Sequence, residues 1–186
     1  MQRTFLTAAL AAVIIFISVP ALAAGGAYEK GFGFTAGTIS GIGFAKRTYQ
    51  TEMKGNQFGF VAWLADNSGW LNFGYQKINF INRQKSVGLY WLFGTALWLQ
   101  TENSYYPIDS SGLTLQKMQT YSVTLMPGAG LGIELALEKH LKLNIELPLS
   151  VFIEYDKGYD YQRYTKTDGV NISIYPIPQV SLIYFY

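Results

Sequence analysis

The stretch TYSVTLMPGAGLGIELALE, residues 120–138, separates into two faces. Its odd positions are Tyr121, Val123, Leu125, Pro127, Ala129, Leu131, Ile133, Leu135 and Leu137, whereas its even positions hold only Thr, Ser, Met, Gly, Ala and Glu. Successive side chains of a strand point to opposite faces, so this is a strand between an apolar and a small or polar environment. Residues 141–155 repeat the pattern: Leu141, Leu143, Ile145, Leu147, Leu149, Val151, Ile153 and Tyr155 stand opposite Lys142, Asn144, Glu146, Pro148, Ser150, Phe152 and Glu154. The two segments form a hairpin that turns near Glu138-Lys139-His140. Val87, Leu89, Trp91, Phe93, Leu97 and Leu99 alternate in the same way, with Tyr90, Leu92 and Trp98 breaking the small face. Phe32, Phe34, Ala36, Ile42 and Phe44 face away from Gly31, Gly33, Thr35, Gly37, Gly41 and Gly43.

A soluble sandwich also alternates, so length and position must decide. Runs here reach 15 residues or more, whereas soluble strands have about 5–6 and membrane-crossing strands need about 9–11. The Gly, Ser and Thr face, with scattered Glu and Lys, suits the inside of a narrow barrel, which leaves the apolar face outside.

Composition narrows the function classes. The 186 residues are 49% hydrophobic, 16% aromatic and 14% charged, too greasy for a disordered chain. With no Cys there is no disulfide scaffold, thiolate metal site or cysteine nucleophile, and one His leaves little for a metal site. A net charge of +2 with no basic block argues against nucleic acid. Met1-Gln2-Arg3, the apolar run from Phe5 to Val19, and Pro20-Ala21-Leu22-Ala23 read as a secretory signal peptide over residues 1–23, with 24–186 as the mature domain. No later run of ~18 apolar residues suggests a membrane helix.

The chain closes on Val180, Leu182, Tyr184 and Tyr186 along one face. This resembles the C-terminal signal by which bacterial outer-membrane barrels are recognised by the barrel assembly machinery. With Tyr186 at the periplasmic end, counting backward makes segments 156–169, 101–117 and 66–69 extracellular, and 138–140, 82–85 and 50–56 periplasmic. Even strand counts are the rule in single-chain bacterial barrels, so the 31–49 region is split around Thr38-Ile39-Ser40 rather than kept as one strand. The eight strands are then 27–37, 41–49, 57–65, 69–81, 86–101, 119–137, 140–155 and 170–186. Pro176 and Pro178 lack ladder donors and suggest a bulge in the last strand.

The mature chain resembles the small eight-stranded outer-membrane barrels, the family that includes the membrane domain of the major outer-membrane protein A. The resemblance rests on architecture and the terminal aromatic pattern. It implies an all-β, up-and-down antiparallel transmembrane barrel in the outer membrane, in contact with lipid and lipopolysaccharide. Some small barrels are lipid A deacylases or acyltransferases, which implies a His and Ser pair. His140 falls in a turn with no Ser beside it, and no enzyme activity or cofactor is expected.

Two groups of residues carry the functional expectations. Tyr105, Tyr106, Tyr159, Tyr161 and Tyr164 lie in the two long loops, where they serve either as an aromatic girdle or as contacts to an extracellular ligand. Glu134 and Glu146 project to the same face of adjacent strands, so either a cation bridges them or one is protonated. Lys142, Arg47 and Lys77 are available, and Arg47 is favoured because a guanidinium can fork across two carboxylates. Such a network would plug the lumen and leave a structural or surface-interaction barrel; an open lumen would make a small pore or a conduit for apolar ligands.

Overall fold

The structure, a computed structural model, describes residues 29–37, 41–64, 68–107, 115–160 and 165–186. The signal-peptide reading of residues 1–23 therefore lies outside the described residues. Nine antiparallel strand segments run in chain order: β1 (Glu29–Gly37), β2 (Gly41–Tyr49), β3 (Lys54–Leu64), β4 (Ser68–Arg83), β5 (Val87–Pro107), β6 (Leu115–Ala136), β7 (Leu141–Asp160), β8 (Thr165–Pro176) and β9 (Gln179–Phe185). Each of β1 to β7 pairs with the next, both β8 and β9 pair with β7, and β9 pairs with β1. The last two segments are halves of one strand, so the sheet closes on itself as an eight-stranded up-and-down barrel. The split in the first hairpin is real: Gly37 faces Gly41 in register, and Gly41 takes the left-handed φ of 73° that a side chain would oppose.

The period-two pattern sorts side chains inside out. Phe34, Ile42, Leu131, Leu147 and Ile172 stand exposed on the outer wall. Thr35, Arg47, Gln57, Asn72, Thr124, Glu134, Asn144, Glu146 and Ser181 are buried in the lumen. A water-soluble fold would bury the first set and expose the second. The exceptions in the sequence pattern are luminal as well. Tyr90 and Leu92 are buried, and Trp98 meets Trp70 at a tilt, with ring centroids 5.7 Å apart.

Several boundaries depart from the sequence-based expectation. The expected loops 101–117 and 156–169 are mostly strand, because paired strands satisfy each other's backbone groups after the apolar alternation has lapsed. β3 starts at Lys54 because Lys54 O accepts from Gln50 N and Thr51 N, while Thr51 Oγ1 accepts from the amides of Met53 and Lys54. That tight turn leaves only residues 50–53 outside the ladder. β4 runs on to Arg83 through a register shift between Phe80 and Asn82. The last strand has no bulge: Glu146 faces Gln179 and Leu149 faces Pro176 in one continuous register.

The two ends differ. At one end lie short turns at residues 50–53, 84–86 and 137–140 together with Tyr186, and at the other β5 to β8 rise far beyond β1.

Candidate functional site

A charged cluster crosses the lumen near the turn end. Arg47 projects inward from β2, wholly buried, directly opposite Gln57 of β3. Its Nε donates to Gln57 Oε1 at 2.7 Å, one Nη to Glu146 at 2.5 Å and the other to Asn144 Oδ1. Glu146 also accepts from Tyr90 Oη at 2.6 Å and from the Gln179 amide. Tyr90 reaches Glu146 because its cross-strand partner is Gly132, where a Cβ would collide with the tyrosine ring. Glycine at 132 is thus a space requirement of its neighbour.

Glu134 forms the second node. Tyr49 Oη donates to it, Arg83 Nη2 stands 3.1 Å away and Lys142 Nζ 3.7 Å away. Glu29 joins from β1, 3.1 Å from Arg83 and 2.7 Å from Lys142. The cluster therefore sets Arg47, Arg83 and Lys142 against Glu29, Glu134 and Glu146, three cations and three carboxylates. Burying ionised groups this deeply is tolerable only when each is paired and hydrogen-bonded. Aromatic rings fill the gaps: Arg83 lies over Tyr49 at 4.2 Å, Lys142 over Phe185 at 4.2 Å, and Tyr49 stacks on Phe185 at 5.5 Å.

The structure brings Arg47, Lys142, Glu134 and Glu146 together. The detail differs from a guanidinium bridging two carboxylates. Asn144, not Glu146, faces Glu134 across the hairpin, so the Arg47 fork closes on Glu146 and Asn144, with Glu134 3.9 Å away. Lys77, the other interior candidate, is exposed and lies over the Phe93 ring instead. Sequence reasoning missed Arg83, Glu29, Tyr49 and Tyr90. Arg83 was hidden by the bulge at Ile81, which reverses the alternation and turns an otherwise outward position into the lumen. Tyr90 did leave a trace, as one of three large residues, with Leu92 and Trp98, that break a face of small residues.

The cluster divides the lumen. On its turn-end side is an open cleft of about 560 Å³ lined by Glu29, Arg83, Glu134 and Lys142 with Glu52 and Lys85. On the other side is a cavity of about 90 Å³, and Gln57 and Gln179 form its floor while also holding Arg47 and Glu146. Thr35, Asn72, Leu92, Met126 and a ring of glycines complete it.

The remaining candidates fall elsewhere. Val180, Leu182, Tyr184 and Tyr186 are all exposed on the outer face, alternating with buried Ser181, Ile183 and Phe185. The His140 ring lies 3.1 Å from the carbonyl of Phe185, whose N–H donates to the His140 carbonyl at 2.6 Å, so the turn histidine clasps the end of β9. Tyr105 and Tyr106 fall in β5 and Tyr159 in β7, while Tyr161 and Tyr164 lie outside the described residues.

No family model and no curated protein matches the chain. Solved structures similar to it include the N-terminal β-barrel domain of Pseudomonas aeruginosa OprF, 10% identical over 85% of this chain and 97% of that one, with a TM-score of 0.47. Acinetobacter baumannii CarO2 is 10% identical over 85% and 98% with a TM-score of 0.40. Ail, the attachment invasion locus protein of Yersinia pestis, is 12% identical over 85% and 97% with a TM-score of 0.38. The barrel itself stands on this chain's own closed strand register.

Proposed function

We propose that the chain is an outer-membrane β-barrel with a structural or surface-interaction role and a lumen sealed by the charged cluster. One observation carries this reading: the outer wall is apolar while a balanced set of paired charges fills the interior. An apolar exterior calls for lipid, and a pore would leave those charges hydrated rather than tied to one another. In this reading, export depends on residues 1–23 and assembly on the outer face of Val180, Leu182, Tyr184 and Tyr186. Lipopolysaccharide and any extracellular ligand meet the two long hairpins. No catalytic role is assigned to His140, which is engaged with the end of β9.

Planar-bilayer recording tests the seal. Purified wild-type barrels are expected to show no steady single-channel conductance; a steady open level in the wild type would overturn the plug. Membrane placement is tested separately by heat-modifiability on gels of the outer-membrane fraction. Tyr186→Lys is expected to lower the amount in that fraction without impairing export, and wild-type levels would contradict the assembly role.

A further inference from the structure

The wall of the barrel is not of even height. Pairing between β1 and the last strand ends at Gly37 opposite Gln179, and among the described residues β8 pairs with β7 alone. The nine residues of β1, at ~3.3 Å each along a strand tilted about 40°, climb ~23 Å, just short of an apolar band ~25 Å tall. Only three residues join Gly37 to Gly41, and those two glycines are themselves paired, so the β1–β2 turn has little chain with which to raise the wall. β8 continues above this point with Val170, Ile172 and Ile174 exposed on its outer face, the composition of a strand still beside lipid. The result is a notch between β1 and β8 at membrane depth.

At the foot of the notch two backbone positions are adapted to hydrocarbon. Odd residues of the last strand direct their N–H toward β7, as Ile177 does to Pro148 O and Phe185 to His140 O. Even residues direct theirs toward β1, as Tyr186 does to Lys30 O. In continuous register, Pro176 and Pro178 thus face the open side at the foot of the notch, where they present no donor to leave unsatisfied. Thr35, Ile177 and Gln179, from the strands that flank the foot of the notch, line the upper cavity together with buried Val61, Leu92 and Met126. Just above, Tyr175 is half exposed although its face is luminal, and it meets Phe152 edge-on at 5.5 Å.

We propose that this notch is a lateral entry through which the end of one acyl chain of a membrane lipid occupies the upper cavity, above the charged cluster. The proposal rests on the membrane reading given above and gives that reading a lipid-binding site. An acyl chain fits the foot of the notch, where Pro176 and Pro178 present no donor, and the apolar patches of the lining, whereas a polar solute arriving by this route would have to cross lipid.

The test uses the full barrel in phosphatidylcholine vesicles doped with a phosphatidylcholine that carries a diazirine at the end of one acyl chain. After illumination, adducts are mapped by mass spectrometry. Expected are adducts on the luminal residues Leu92, Met126 and Ile177 as well as on the outward Leu147 and Ile172. Gly59→Phe and Gly74→Phe fill the cavity where an added Cβ meets nothing within 4 Å or only Ala96 at 3.8 Å. Both variants should lose the luminal adducts and keep the outward ones. Outward adducts without luminal ones in the wild type, or luminal adducts that survive in both variants, would overturn the lateral site and leave the membrane reading standing. Absence of outward adducts would overturn both.

Discussion

The two halves of the lumen obey the same inside-out rule and reach opposite interiors. Toward the turns, Arg47, Tyr49, Arg83, Tyr90, Glu134 and Glu146 meet across the barrel and fill it. Toward the tall hairpins, the inward positions pass to Gly59, Gly74, Gly94, Gly128 and Thr35, and a cavity remains. A small barrel is therefore closed or open by the volume of its inward side chains level by level, while strand number stays the same.

The largest expected effect breaks the filled half at its centre. Arg47→Ala strands Glu146 and Asn144 in the buried lumen and should lower unfolding stability by about 3–5 kcal/mol, measured by urea titration of the refolded barrel. The same variant should raise bilayer conductance above the wild type. Unchanged stability would mean that water already screens the cluster.

Leu131→Arg and its neighbour Gly132 test the wall itself. Leu131 is exposed on the outer face, and an Arg near mid-bilayer should cost about 2–4 kcal/mol in the same titration. From sequence, a hydroxyl on the lumen side at 132 should cost less than that Arg unless Gly132 is sterically essential. The structure meets the exception, because a Cβ there meets the Tyr90 ring that caps Glu146. Gly132→Ala is expected to destabilise by about 1–3 kcal/mol through overpacking.

The mildest change sharpens the contrast by moving the same substitution to the open half. At Gly59 an added Cβ meets nothing within 4 Å. Gly59→Ala should be neutral or stabilise by up to about 1 kcal/mol, since it restricts the unfolded chain without crowding the folded one. Equal penalties at 59 and 132 would show that both halves are packed alike and would erase the distinction.

The sequence by itself determined the inside-out strands, the count of eight, the outward face of Val180 to Tyr186 and the inward direction of Arg47, Lys142, Glu134 and Glu146. The faces follow from the pleat, whose period of two is local and is written directly in the order of residues, while the count of eight came from the even-number rule that split residues 31–49. It could not assign partners across the lumen. Those depend on closure of the β1–β9 register and on one bulge at Ile81, which turns Arg83 inward; a one-residue shift exchanges the faces of everything beyond it. Nor could composition show that β1 stops at Gly37 while β8 continues, leaving Pro176 and Pro178 beside a notch. The height of a wall belongs to the neighbouring strands together, so only the tertiary structure decided where the lumen of this barrel is filled and where its wall is low.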